Sequence, residues 1–411
     1  MIKLFIIADD FTGALDTGVQ LASAGANVIV RMDYSFDLAG LPEDVEVVVV
    51  NTESRHLGPG EAYDIVYDVV ERAIRHGVPH IYKKTDSGLR GNIGAELSAA
   101  LDASGRMELD FIPAFPQMNR LTIAGVQYID GIPVANSVFG TDPFNPVKHS
   151  SLEDIIGSQS ETPVVLGYDQ EITTPSIRVL DISSEGELLY CGQSLAKMNG
   201  LSLIAGCAGF ASVLPKLLKL TLNEEKTEVQ FHGGLLVGNG SVNPISIAQL
   251  NLAEADGFYR KRLSVHEKLD EYFWTTPQGR RVVEELANKV RQNPRVLLDT
   301  NDLPLSEETS RYVSELGLSR ETMRKRISHS MGELLKNLMD KGIERTFLVM
   351  GGDTLQSFLY QVGVVQMRPI REILPGSVLS EFEWNGKTYH LVSKSGGFGE
   401  ADLILKLEKE I

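Results

Sequence analysis

Short apolar runs of strand length alternate along this chain with longer stretches of helical spacing. Leu4–Ile7 is apolar and runs into Asp9-Asp10, and Ala14–Ala24 places Leu15, Val19, Leu21 and Ala22 near one side of a helix that Gly25 would end. Val45–Val50 holds five valines and one glutamate, the composition of a strand buried on both faces. Glu61–His76 reads as a helix closed by Gly77, and Ile81–Lys83 and Asp110–Ile112 read as further short strands. This β-α-β rhythm predicts a mainly parallel sheet covered by helices. In such sheets ligands gather beyond the C-terminal strand ends. Asp9-Asp10, Thr52–His56 and Lys84–Asn92 each come directly after a predicted strand, so all three are expected to face one crevice.

The pattern changes after Gln117. Tyr128–Val134, with Asp130-Gly131 inside, reads as a hairpin, and Pro133, Pro143 and Pro146 break the next stretch into loops. Residues 151–228 return to α/β spacing. The polar stretch Leu222–Glu228 marks the expected boundary between residues 1–228 and 229–411. In the second part Leu235–Val237, Arg295–Asp299, Thr346–Met350 and Lys387–Val392 are predicted strands. Arg280–Arg291 and Ser319–Met339 are predicted helices, the latter N-capped by Ser319 and amphipathic with a solvent-facing side. A last helix runs to Ile411. The expected fold class is α/β with two domains, each a mainly parallel or mixed sheet flanked by helices, and an active site in the interdomain cleft.

Length and charge narrow the functional classes. At 411 residues the chain exceeds one typical core. Its 39 basic against 55 acidic residues give a net charge of −16, which argues against nucleic acid or an anionic membrane as partner. A small anion needs only a local cationic pocket, and Lys83–Asn92 provides one: Lys83, Lys84 and Arg90 surround Asp86, Thr85 and Ser87 at a strand-to-helix turn. Cys191 and Cys207 are the only cysteines, and so few in so long a chain point to a reducing compartment and against a disulfide scaffold; they form no CxxC. With no secretory-type leader and no apolar run near 18 residues, the expected location is cytoplasmic. The histidines are scattered, so no residue is assigned as a metal ligand.

Candidate chemistry falls into two halves. In the second, glycine-rich turns follow predicted strands at Gly238, at Gly351-Gly352-Asp353-Thr354 and at Lys394-Ser395-Gly396-Gly397-Phe398-Gly399. Glycine lets backbone approach phosphate oxygens, and a helix N-terminus supplies donors. Yet Glu381 stands where a P-loop before Gly386-Lys387-Thr388 needs glycine, and Asn243 stands where a dinucleotide turn needs its third. In the first half, one of Asp9 and Asp10 is expected to face a ligand while the other caps the following helix. Phe11 breaks the Asp-x-Asp of aspartyl-phosphate enzymes. Asp86 is read either as the group that orients and deprotonates a substrate hydroxyl or as a turn residue paired with Arg90. Arg90 suits bidentate carboxylate recognition, with Asp86 or Glu96 as the structural alternative. Arg55 is a second candidate clamp. Lys83 and Lys84 alternate in facing, so only one is expected to serve the site.

Four ordered motifs resemble the four-carbon acid sugar kinases over nearly the whole chain: Ile7–Ala14, Lys84–Asn92, Gly351–Thr354 and Lys394–Gly399. The resemblance implies an N-terminal domain that binds an acid sugar, a C-terminal domain that binds ATP with Mg2+, and phosphorylation of a tetronate's terminal hydroxyl. Asp16–Leu21 and Gly240–Pro244 look most similar to the D-threonate kinase branch. D-erythronate and 3-oxo-tetronate are the alternative substrates, and a non-catalytic binding protein is the alternative of another class. A homodimer is compatible with this reading. Carried onto this chain, the resemblance makes Asp9, Asp10, Arg55, Lys84, Thr85, Asp86, Ser87 and Arg90 the acid-sugar contacts, with Asp86 and Asp10 the candidate catalytic groups. It makes Ser241, Gly351, Gly352, Asp353, Thr354, Lys394, Gly396, Gly397 and Gly399 the nucleotide contacts. Two departures stand out: Gly88 where the family often has threonine, and Asp353 where glutamate is common.

Overall fold

The computed structural model describes residues 2–142, 145–220, 229, 231, 233–302, 306–394 and 397–411. The chain divides into two compact units, Met1–Lys226 and Thr227–Ile411. The expected boundary at Leu222–Glu228 lies outside the described residues, as do Pro143, His232, Ser395 and Gly396.

In the first unit the strands are β1 (Leu4–Ala8), β2 (Val28–Arg31), β3 (Val47–Asn51), β4 (His80–Lys84), β5 (Glu108–Ile112), β6 (Arg120–Ile123), β7 (Val126–Ile129), β8 (Ile132–Pro133), β9 (Val164–Leu166), β10 (Ser176–Val179) and β11 (Leu203–Gly206). The main sheet has the order β2-β3-β1-β4-β11-β5-β10-β9, and its pairings are parallel. β1 is apolar throughout and β3 is four valines before Asn51, as strands buried on both faces require, whereas β4 ends in Lys83-Lys84. β1 lies between β3 and β4, so the chain reverses direction across the sheet at β1. That switch point opens a crevice at the C-terminal ends of β1, β3 and β4, where the three predicted loops emerge. β6, β7 and β8 form a small antiparallel sheet, with Asp130-Gly131 at one turn as expected. β2 and β6 are strands beyond those the apolar pattern predicts.

Local signals explain the helix ends. The first helix starts at Phe11, earlier than its apolar spacing implies, because the Asp10 side chain accepts from Gly13 N at 3.0 Å. The second spans Pro59–Arg75 with proline in its first turn, and Gly77 follows at φ +80°.

The second unit contains β12 (Leu235–Asn239), β13 (Tyr259–Arg262), β14 (Arg295–Asp299), β15 (Thr346–Met350), β16 (Gln366–Leu374), β17 (Ser377–Trp384) and β18 (Lys387–Lys394) in the order β13-β14-β12-β15-β18-β17-β16. β16, β17 and β18 pair antiparallel and the rest parallel, so this sheet is mixed. β12 sits between β14 and β15 as β1 sits between β3 and β4, giving a second switch point. The helix expected to face solvent spans Arg320–Asp340 and is capped by Ser319, but Met331, Leu334, Leu335, Leu338 and Met339 are buried. Its apolar side is part of the core. Among the described residues no helix is long and apolar enough to cross a membrane.

One buried group lies away from both switch points. Asp110, on β5, is pushed up to about 7 by burial and then by Glu108, while Arg178 opposes the shift. Its hydrogen-bond donor is the Tyr168 hydroxyl at 3.4 Å. An unfolded aspartate ionises near 3.8, so between about pH 4 and 7 the folded state holds a proton that the unfolded state has lost. Stability contributed by this group therefore falls as pH rises through that window. Asp110→Asn is expected to raise the melting temperature at pH 8 and to change it little at pH 4; equal shifts at both would refute the assignment.

Candidate active site

Three loops meet beyond the switch point of the first sheet. Backbone bonds tie them together: Thr52 N and Oγ1 both donate to Ala8 O at 2.9 Å, and Arg55 N donates to Asp9 O at 3.2 Å. Asn92 Nδ2 donates to Ser54 O and Leu57 O, which joins the loop after β4 to the loop after β3. The turn Asp86–Leu89 closes with Leu89 at φ +61°, a left-handed conformation that costs a non-glycine residue about 1–2 kcal/mol.

These loops hold an alternating cluster of charge. Arg55 Nε and Nη2 donate to Asp9 at 2.7 and 3.0 Å, and Nη1 and Nη2 donate to Asp10 at 2.8 Å. Asp86 Oδ1 stands 3.8 Å from the same guanidinium. Arg90 grips Asp86 through Nε and Nη2 at 2.8 and 3.1 Å and reaches Asp142 at 3.1 Å. Burial alone would raise the pKa of Asp86, but Arg90 and then Arg55 hold it well below the usual carboxylate range. Burial also opposes ionisation of Asp9, and Arg55, Lys83 and Lys84 together bring its pKa below the ordinary value.

The two aspartates divide their work differently from expectation. Asp10 caps the helix and is also the more open, its side chain 27% exposed against 2% for Asp9. The two lysines separate as alternation requires. Lys83 is buried and pairs with Glu96 at 2.6 Å, while Lys84 Nζ lies beside Gly13 at the helix start. Thr85 Oγ1 is buried without a hydrogen-bond partner among the described residues. Arg120, which sequence reasoning passed over, donates to the Ser87 hydroxyl. No local signal marks it, because β6 carries it to the turn from well outside the motif.

The second unit builds its own cradle at the end of β12. Asn239 and Asn301 both donate to Asp299 Oδ1 and to Ser241 O, while Arg260 grips Asp299 Oδ2 at 2.6 and 3.1 Å. This buried network fixes the loop that carries Ser241. Asn243 then caps the helix Pro244–Ala255 by accepting from Ile245 N. A Cβ on Gly240 would run into Thr354 Oγ1, and Gly351 adopts φ +110° ahead of the helix Gly352–Val362. Lys394 Nζ bonds Ser246 Oγ at 3.0 Å, and burial lowers its pKa to about 8. Gln249 donates to Phe398 O and Glu400 O, so the last glycine turn packs against the same helix. Thus Ser241, Gly351, Gly352, Thr354, Lys394, Gly397 and Gly399 gather around two helix N-termini. Asp353 differs: its carboxylate pairs with Arg324 at 2.8 Å. Tight glycine turns, helix N-termini and a buried cation are a fitting donor set for a nucleotide's phosphates.

Comparison with known proteins agrees with this division. Residues 4–214 match the family model of a sugar-binding N-terminal domain, and residues 236–404 that of a nucleotide-binding C-terminal domain. The chain belongs to the four-carbon acid sugar kinase family. It is similar to a D-threonate kinase of Salmonella typhimurium, 29% identical over 97% of this chain and 95% of the relative. It is 27% identical to a 3-oxo-tetronate kinase of Pseudomonas fluorescens over 97% of this chain and 95% of that one. A D-erythronate kinase of Heliobacterium modesticaldum is 36% identical over 53% of this chain and 54% of its own. Crystal structures of a Salmonella typhimurium protein (TM-score 0.82, 21% identity, all of both chains) and a Haemophilus influenzae protein (0.75, 19%, 99% of both) share the fold.

The pairing of Lys83 with Glu96 separates scaffold from site. The two side chains are 0% and 2% exposed. Removing one partner of a buried pair leaves the other uncompensated, so Lys83→Ala is expected to cost about 3 kcal/mol. Lys84→Ala should cost far less stability. Urea denaturation of both variants checks this, and equal losses would overturn it.

Proposed function

We propose that this kinase-family member transfers the γ-phosphoryl group of ATP to the terminal hydroxyl of a four-carbon sugar acid, D-threonate ahead of D-erythronate or a 3-oxo-tetronate. The observation that carries the reading is Asp86, a buried carboxylate held ionised by Arg90 and Arg55 at a strand-end crevice. The preference for D-threonate rests on 29% identity over 97% of the chain, against 27% over the same share for the 3-oxo-tetronate kinase and a D-erythronate kinase likeness that spans 53%.

Chemistry assigns the roles. An always-ionised Asp86 accepts a hydrogen bond from the acceptor hydroxyl and turns its lone pair toward the phosphorus. So depressed a pKa makes Asp86 a weak base. It therefore orients the hydroxyl and receives the proton only as the new P–O bond forms, which suits a loose phosphoryl-transfer transition state. Asp10, on the more open side of Arg55, is a second acceptor for substrate hydroxyls. Thr85 and Ser87 offer hydroxyls to the same ligand. In the second unit the amide groups at Pro244–Ala255 and Gly352–Val362 bind phosphate oxygens, and Ser241, Thr354 and Lys394 add side-chain donors. Magnesium supplies charge neutralisation when it enters with the nucleotide. Among the described residues no group of three His, Cys, Asp or Glu side chains could hold a metal ion, so the phosphates would be its main ligands.

The test is ADP release from ATP and magnesium across D- and L-threonate, D- and L-erythronate, 3-oxo-tetronates and glycerate. Turnover is expected with a D-tetronate, D-threonate giving the highest kcat/KM. Asp86→Asn should lower kcat by about 10²–10⁴ with the KM for ATP nearly unchanged. Silence across the panel from a protein that still binds ATP would overturn the proposal.

A further inference from the structure

The cations of the first-unit crevice are Lys84, at the start of the first helix, and three arginines. Arg55 serves Asp9 and Asp10, and Arg90 serves Asp86 and Asp142. A guanidinium has five N–H donors, and carboxylates already take four hydrogen bonds from Arg55 and three from Arg90. A substrate carboxylate arriving at either arginine would meet aspartates first, and like charge would repel it. Arg120 is different. Among the described residues no carboxylate comes within 4.0 Å of it, and its hydrogen-bond partner is the neutral Ser87 hydroxyl.

The fold places this arginine with care. Arg120 opens β6, and its backbone exchanges bonds with Phe115 at 2.7 and 3.1 Å. The β6-β7-β8 sheet is tied down by bridges Thr122–Ile182 and Val126–Ser151. The guanidinium then lies 5.2 Å from the centroid of the Phe139 ring, and Arg90 lies 5.1 Å from the same centroid. An aromatic face attracts each cation and so offsets their mutual repulsion. The ring has its place because residue 88 is glycine: a Cβ there would come within 2.5–2.7 Å of three Phe139 ring carbons. Asp142, three residues after Phe139, fastens the segment to Arg90.

We infer that Arg120 is the residue that binds the carboxylate of the acceptor acid, with Ser87 beside it, and that Arg55 and Arg90 are positioning residues that hold Asp9, Asp10 and Asp86. Phe139, seated on Gly88, positions the Arg120 guanidinium. The substrate class rests on the kinase reading above, while the assignment of Arg120 needs only that the ligand carry a carboxylate.

The experiment measures calorimetric binding of D-threonate, D-erythronate, a 3-oxo-tetronate and glycerate, and of the uncharged polyols threitol and erythritol, to wild type, Arg120→Gln, Arg120→Lys and Phe139→Leu. Steady-state kinetics accompany it. Arg120→Gln should weaken binding of the favoured acid, and raise its KM, at least tenfold, with the KM for ATP unchanged and the preference for acid over polyol lost. Arg120→Lys should recover part of the loss, and Phe139→Leu should lie between. Unaltered acid binding by Arg120→Gln would overturn the inference while leaving the kinase reading intact. Arg120-dependent binding of an acid that is never phosphorylated would uphold the inference and overturn the kinase reading. A wild type that binds no carboxylate would overturn both.

Discussion

Everything in the first-unit crevice depends on one guanidinium. Arg55 bridges Asp9 and Asp10, adjacent residues whose charges would otherwise repel at the end of the central strand. By gripping both it joins the loop after β3 to the loop after β1, and its field reaches Asp86 on the loop after β4. Paired burial is what makes the arrangement tolerable. An unpaired aspartate as enclosed as Asp9 would take up a proton, and an arginine so enclosed without acceptors would be strongly destabilising. The cluster therefore gains order more than net stability. It fixes ionised oxygens at one place in the fold.

The second unit anchors its loop on one ion pair and two side-chain amides. Asp299 is wholly buried and collects Arg260, Asn239 and Asn301, and through the two amides it sets the position of the Ser241 carbonyl. The ion pair of Arg260 with Asp299 is buried, its side chains 3% and 0% exposed. In the first unit the ionised groups themselves line the crevice. The contrast matches the proposed ligands: phosphates are bound through N–H groups, whereas hydroxyls need acceptors.

Much of this was legible along the chain. β14 and β15 span the residues predicted for them, because their inner residues, Val296–Leu298 and Phe347–Met350, are apolar and buried on both faces. The site loops were legible because they emerge from such strands. Legibility failed where burial is one-sided or partners are distant. β16 and β17 alternate charged and apolar residues and include Pro369, so they lack the signature of a buried strand. Val28–Arg31 is too short to show a period. The pairing of Arg90 with Asp86 four residues away was legible, whereas the partner of Lys83, the reach of Arg90 to Asp142 and the approach of Arg120 to Ser87 follow from tertiary topology that no local spacing encodes. The motif containing Asp86 and Arg90 marked the place, but it did not say which cation was already committed.

The first sheet is also contiguous in sequence: its strands run from Leu4 to Gly206, and the charged groups of its crevice run from Asp9 to Asp142. A ribosome thus completes this sheet before it begins β12, which starts at Leu235. Domains generally fold as units during synthesis, the N-terminal one first. Each aspartate of the cluster can then meet its arginine while the second unit is still being made, so the nascent chain need not expose unpaired charge in a half-formed core during elongation.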